Sequence, residues 1–354
     1  MSVPSRLRPW LATVALLLIG LGATAGSAIG LQSSAQRDED RRFDAAAERA
    51  RGAIATRLQL QIEGLTHLRN WMLLHPDASR EDFEQVTSLG FADGLYPRVQ
   101  ALAYGPLVPA ADKEAFEAGQ RLALADKPDH PPFAIHPMTD TDAYPITYIV
   151  PTAGNEAALG FDLASEPTRR AAVVAARDRG HSVGTAPVRL IQEPGDQVGF
   201  VLFAPVYDTG EVPVTAPARR RHIVGVLGAV LRVGDMLSGV LGTRPEVDVE
   251  IYDIGATIDT PDLGLDRSTL LLDTRPTAAA SSGGTNDGMH RSLDLSVADR
   301  RWRLVLTPSA GFGTANEQLA LAVGLLGTLV TLLLAGMVHR SGSAREHAEQ
   351  RASE

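Results

Sequence analysis

The chain has 354 residues, no cysteine and a formal net charge of -9 at pH 7. The missing cysteines exclude disulfides, thiolate metal sites and a cysteine nucleophile. Two arginines in residues 1–31 and balanced charges in 319–354 leave about -11 between them; nucleic acid is therefore not an expected partner, because phosphate contacts draw on a surplus of Lys and Arg.

Two uncharged apolar stretches frame the chain. "WLATVALLLIGLGATAGSAIGL", Trp10–Leu31, and "LALAVGLLGTLVTLLLAGMV", Leu319–Val338, each match the roughly 20 residues that span a bilayer as a helix. The first also carries a small-residue run, Ala23 to Ala28, of the kind found at signal-peptide cleavage sites, but its apolar stretch is long for a signal core. It is read here as an uncleaved anchor. Arg6 and Arg8 precede the first span and Arg340, Arg345 and Arg351 follow the second. With a long domain between, the expected topology is cytoplasmic ends (1–9 and 339–354), transmembrane helices at 10–31 and 319–338, and residues 32–318 outside the inner (plasma) membrane.

Residues 32–76 place Phe43, Ala47, Ala50, Ile54, Leu58, Ile62, Leu65, Leu68 and Met72 at steps of three and four, with no proline until Pro76. This is one stripe of a long stalk helix. The stripe fits either homodimerisation with a second copy or packing on its own domain. "SREDFEQV" then opens a helix with Ser79 as cap. "YPRVQALAYGPLVP" reads as a turn and a strand, "AADKEAFEAGQRLALA" as a helix, and Phe133–Ile135 and Tyr144–Val150 as strands. Ser165–Arg179 is a helix with Ala171, Val174 and Ala175 on one face. Val188–Gln192, Gly199–Val206 and His222–Leu231 are further strands. "RVGDMLSGVLG" is a short helix, "VDVEIYDIG" and "RRWRLVLTP" alternate like strands, and "TRPTAAASSGGTND" is a loop. The pattern is α+β, with a sheet centred on 90–206 and another on 207–308.

In order along the chain, "FEQVTSLGFADGLYPRVQALAYGPLVPAADKEAFEA", "YPITYIVPTAGNEAALGFDLASEPTRRAAVVAARDRG", "GTAPVRLIQ", "GFVLFAPVYD" and "GVLGAVLRVGDML" resemble the CHASE domain. This extracytoplasmic sensor is found on receptor histidine kinases, adenylate cyclases and diguanylate cyclases. The resemblance implies a stalk helix carrying two PAS-like antiparallel-sheet subdomains, here 77–206 distal to the membrane and 207–318 proximal to it. It also implies an unidentified small-molecule ligand in the distal pocket. Plant members use an acidic residue on the strand matching Tyr144–Val150 to bind cytokinins. That register gives Pro151 here, which offers no side-chain acceptor. Thr185 matches a pocket threonine of the family and Val174 a pocket aliphatic. Lys113, in "KEAFE", stands where the family commonly has arginine.

The residues themselves offer a few ligand contacts. Tyr104, Tyr148 and Phe203 sit in apolar runs and suit either stacking on a ligand or core packing. Asp162 suits either a pocket rim or the closing of a turn, and Asn155 is ordinary turn chemistry. His130 and His136, near Asp129 and Asp140, lack the spacing of a zinc site, and "GGTNDG" lacks the strand–turn–helix context of a phosphate loop. No catalytic constellation and no cofactor motif emerges, and the 16-residue tail is too short for an output domain. The expected function is a non-enzymatic membrane-anchored sensor that signals through the second span, either into a coiled coil that the tail begins or to a separate cytoplasmic effector. The alternative is an interaction scaffold that dimerises with full-length receptors.

Overall fold

The structure, a computed structural model, describes residues 8–125, 132–190, 198–242, 245–256, 263–275, 289–310, 312 and 317–352. The expected loop after Arg275, His130 with Asp129, and the end of the strand expected at Val188–Gln192 lie outside these residues. The chain divides into two compact units, Met1–Ala46 with Ala310–Glu354, and Ala47–Ser309.

The first unit pairs the start of α1, Arg8–Leu74, with α7, Glu317–Ala352. Both contain windows long and apolar enough to cross a membrane, with mean hydropathy 2.0 and 2.3. They meet through small residues: a methyl on Gly20 would overlap the Thr331 side chain, and one on Gly327 the Thr24 side chain. Each threonine returns its hydroxyl to the carbonyl four residues back, at 2.8 Å, so neither hydroxyl is left without an acceptor.

The second unit is α+β. The stripe expected on the stalk is buried from Ala47 to Met72, except for half-buried Ile62. It packs on its own domain, so it is not available over this length to a second copy. Polar contacts join it to the domain: Gln61 Nε2 donates to the Pro97 carbonyl at 2.6 Å. Helix α2, Arg80–Ala92, begins at the expected cap: the Asp82 amide donates to Ser79 Oγ and the Ser79 amide to Asp82 Oδ2.

The first sheet contains β1 Ala101–Pro106, β2 Tyr148–Val150, β3 Val183–Gly184, β4 Val188–Arg189, β5 Val198–Tyr207 and β6 Ile223–Arg232. The order is β2-β1-β6-β5-β3, with β4 also on β5, and every pair is antiparallel. β6 belongs here because it sits between β1 and β5. The first sheet therefore extends to Arg232 rather than ending near 206. β5 and β6 are buried on both faces, which explains their near-continuous apolar runs. The second sheet has β7 Val247–Ala256, β8 Leu270–Asp273, β9 Arg291–Val297 and β10 Arg300–Pro308, in the order β8-β7-β10-β9. Phe200 of β5 meets Trp302 of β10 edge to face at 5.2 Å, joining the two cores.

Two expected strands are largely absent. Phe133–Ile135 has no strand structure, and only Tyr148–Val150 of the Tyr144–Val150 run pairs as a strand. Pro145 has no amide to donate to a ladder, and the run instead makes an isolated bridge from Pro145 to Asp162. Phe133 and Ile135 are still buried, packed with Leu124 and Phe116 against α3, Lys113–Ala123.

Helix α4, Pro167–Arg179, starts with Glu166 as cap and Pro167 in its first turn, and ends at Gly180 in the left-handed region at φ 79°. Its buried face is Arg169, Ala172, Val173 and Ala176. The face expected from Ala171, Val174 and Ala175 is turned outward. A short helix α5, Ala216–His222, between β5 and β6, and α6, Val233–Leu237, complete the unit.

Candidate functional site

A small cavity lies between the first sheet and the segment running into α4. Ala103, Val201, Gly228 and Val230 form its floor, and Ile146, Ala158, Phe161, Leu163, Arg169 and Leu190 the remaining walls. Its volume is about 20 Å³. That admits about one water molecule, against the roughly 300–1,000 Å³ of ordinary ligand pockets.

Local sequence builds this wall. Gly160 holds φ 81°, and a side chain there would overlap the Ala134 carbonyl, so the chain can turn sharply before Phe161. Asp162, fully buried, accepts from the amides of Tyr144 and Ala164, each at 2.9 Å. These bonds place Phe161 and Leu163 on the cavity side.

Arg169 is the one charged side chain on the wall among the described residues. Its Nη2 donates to the Arg189 carbonyl at 2.8 Å and its Nη1 to Glu166 Oε2 at 3.2 Å. Its guanidinium sits 5.4 Å from the centre of the Phe161 ring. Burial lowers its pKa, ahead of the opposing pull of Glu166. A buried cation at the foot of α4, over an apolar floor, can orient an anionic or strongly polar group.

The residues expected to bind ligand fall mostly elsewhere. Tyr104 and Tyr148 are paired across β1 and β2, with ring centres 5.7 Å apart, on the opposite face of the sheet from Ala103. There Phe83 and the Arg80 guanidinium of α2 cover Tyr148 at 5.6 and 5.0 Å. Burial raises both phenol pKa values. Neighbouring strand residues face opposite sides, so Ala103 and Tyr104 cannot share a pocket. Asp162 is occupied by backbone amides, and Val174 is 39% exposed on the outer face of α4. Thr185 Oγ1 accepts from the Val201 amide at 3.0 Å, and its own amide donates to the Val201 carbonyl, so it extends the sheet where β3 ends. Phe203 comes nearest, on the cavity-facing side of β5, paired with Gly228 beside the floor. None of the ten residues that line this cavity, Arg169 among them, is one of the residues expected to bind ligand. Of these only Arg169 left a signal, as the arginine that follows a Glu-Pro cap by three residues.

Lys113, at the family's arginine position, is buried, and its Nζ donates to the Thr139 carbonyl at 2.7 Å and Oγ1 at 3.1 Å. Glu117 accepts from the Ile135 amide and from Arg121 Nη2, both at 2.6 Å. "KEAFE" thus ties α3 to the loop at 133–139 instead of facing the cavity. His136 is likewise engaged, its Nε2 3.0 Å from the Leu159 carbonyl.

At the far end of α4 a second constellation joins the sheets. The β9–β10 turn is two residues long, with Ala298 and Asp299 at φ 42° and 64°. The Gly184 amide donates to the Ala298 carbonyl at 2.8 Å. Asp299 Oδ2 accepts from Arg179 Nη1 at 2.6 Å and lies 2.7 Å from His181 Nε2. These two partners, against the opposing effect of burial, keep the Asp299 carboxyl below its ordinary value. The C-terminal end of α4 is thereby latched to the last hairpin.

An antiparallel α+β domain bordered by two apolar helices is the class that this architecture defines. The family model described as CHASE domain matches residues 76–263, more than half of the chain, and the chain belongs to that family. A similar curated protein is Hybrid signal transduction histidine kinase A of Dictyostelium discoideum, 22% identical over 270 residues. That match takes in 71% of this chain but only 12% of the kinase. Among solved structures, an extracellular ligand binding receptor from Desulfohalobium retbaense aligns with TM-score 0.44 and 10% identity, over 76% of this chain and 40% of that one. The periplasmic sensory domain of the Campylobacter jejuni chemoreceptor Tlp1 aligns at TM-score 0.41 and 11% identity, over 80% and 98%.

Proposed function

We propose that the chain is a membrane-anchored extracytoplasmic sensor whose small-molecule ligand enters beneath α4. Membership of the CHASE family and the two flanking apolar helices support the sensor role. One observation carries the site: a buried arginine on an otherwise apolar wall, held by a helix that is latched to a second sheet. Opening α4 enlarges the cavity to ligand size. The movement passes through Arg179, His181 and Asp299 into β10, the last strand before α7 in sequence. Only differential affinity for two arrangements of this chain of contacts is needed, and about 1–3 kcal/mol is a usual coupling. On this reading two copies associate through surfaces other than the buried stalk stripe, and the signal passes through the second apolar helix to a cytoplasmic effector.

The test uses the full chain in lipid nanodiscs, screened against small metabolites by thermal denaturation. A ligand at a hundred times its Kd adds about 2.7 kcal/mol to stability. Gly228→Val fills the floor, where a Cβ meets only ordinary contacts at 3.4 Å or more. Stabilisation should be present in the native protein and absent in Gly228→Val. No stabilisation by any metabolite, or stabilisation that survives the filled floor, contradicts the proposal.

The volume of about 20 Å³ favours a second reading, in which the domain is a filled scaffold that pairs with full-length receptors. In that case Gly228→Val should leave receptor association intact, as read by cross-linking.

A further inference from the structure

A larger opening lies beside the latch, lined from both within and outside the family match. It is a cleft of about 630 Å³ between α1, the segment after α4 and the β9–β10 turn, and its walls include Arg69, His181, Ser182, Ser296 and Asp299. Its size is that of an organic ligand rather than a bare ion. Three observations define its chemistry. The first is the unmatched charge of Arg69. The guanidinium is part-buried and meets only neutral acceptors, the Gly180 carbonyl at 3.2 Å and Asn70 Oδ1 at 2.9 and 3.3 Å. Among the described residues no carboxylate pairs with it, and burial lowers its pKa, with Tyr207 opposing. The second is Asp299, the acid of the cleft, whose charge is already met by Arg179 and which also contacts His181. The third is Ser182, which is 5% exposed with a buried hydroxyl that has no hydrogen-bond partner among the described residues. An unmet buried hydroxyl and an unmatched guanidinium are both costly, and both residues line the same cleft.

We propose that this cleft is a second binding site, for a small organic carboxylate. The carboxylate accepts from the free N–H groups of Arg69 and from the Ser182 hydroxyl, in a charge-assisted arrangement. Its remainder lies along Ser296 toward the turn. Such a ligand touches α1, the segment after α4 and the hairpin at once, so it holds the latch closed. The site is separate from the cavity under α4, and its proof or failure leaves the reading of that cavity untouched.

The full chain in nanodiscs is titrated with acetate, glutarate and citrate at constant ionic strength, with sodium chloride and the corresponding amides as controls, and thermal denaturation is followed. At least one carboxylate should raise Tm saturably while its amide does not. Arg69→Gln should weaken that binding at least about tenfold, equivalent to about 1.4 kcal/mol. Ser182→Ala, which removes only the orphan hydroxyl and should fold normally, should weaken it several-fold. Arg169→Met, in the other cavity, should leave it unchanged. The proposal is overturned if no carboxylate stabilises the native chain, if binding survives both Arg69→Gln and Ser182→Ala, or if Arg169→Met abolishes it.

Discussion

Asp178 shows how single charges hold the cover over the cavity. Its carboxylate lies in the last turn of α4 and accepts from Arg220 of α5, at 2.6 and 3.0 Å, and from Arg177 at 2.8 Å. The bond to Arg220, followed by the Arg177 pair and against the effect of burial, brings its pKa down from 3.8 to about 2. A carboxyl depressed on folding stabilises the native state above its unfolded pKa, and this contribution is lost as pH falls through the folded one. Asp178→Asn should therefore cost roughly 1–2 kcal/mol at neutral pH, after allowance for solvent screening. The difference from the native chain should shrink between about pH 4 and pH 2. Urea denaturation across that range measures it, and a cost that stays constant down to pH 2 would contradict the assignment. Residue types were easier to read than their directions. Asp162 and Thr185 are polar groups in an apolar stretch, and the sequence does not say whether they face a ligand or the backbone. In both cases the backbone claims them. Tyr104 and Tyr148 went to the far face because strand parity depends on which neighbour lies under α4, a long-range fact.

At the scale of elements the latch is the informative feature. A two-residue hairpin turn of type I′ needs positive φ at both central positions, and Asn-Gly or Asp-Gly usually supplies it. Here Ala298 and Asp299 do so. Ala in the left-handed region costs about 1 kcal/mol, so docking onto Gly184, Arg179 and His181 must offset that strain. Ala298→Gly should relieve it and stabilise the domain by up to about 1 kcal/mol. Asp299→Asn keeps a residue tolerant of the turn while weakening the contacts to Arg179 and His181. It should raise hydrogen exchange at 180–184 and 297–300 and leave β5 and β6 protected. Uniform loss of protection across both sheets would mean the contact is merely part of the core. This turn was not legible in advance, because neither residue signals it. The helix caps were: Ser79 with Asp82, and Gly180 after α4, are local bonds that the chain makes with its own neighbours. The face of α4 was misread because Ala and Val occur on both of its sides, and the decisive buried residue is an arginine.

For the whole molecule, the sequence made the two apolar helices and the α+β class plain, since uninterrupted apolar length and alternating strands need no tertiary information. It left open whether the stalk stripe meets another chain, and the stripe proves to be covered by its own domain. The cavity was not legible at all. It is assembled from β1, β5, β6 and the 146–190 segment, residues brought together only by sheet order. Its function turns on whether the interior under α4 opens while the rest stays folded. The native chain lacks cysteine, so one introduced thiol can report this without background. The decisive measurement compares thiol-labelling rates of Val201→Cys, on the cavity floor, and Leu304→Cys, in the second core, in the full chain at increasing urea. The account predicts that Val201→Cys labels much faster, with weak urea dependence, through local opening of α4. If both positions label at the same slow rate and with the same steep urea dependence, the interior opens only when the domain unfolds, and a pocket beneath α4 is contradicted.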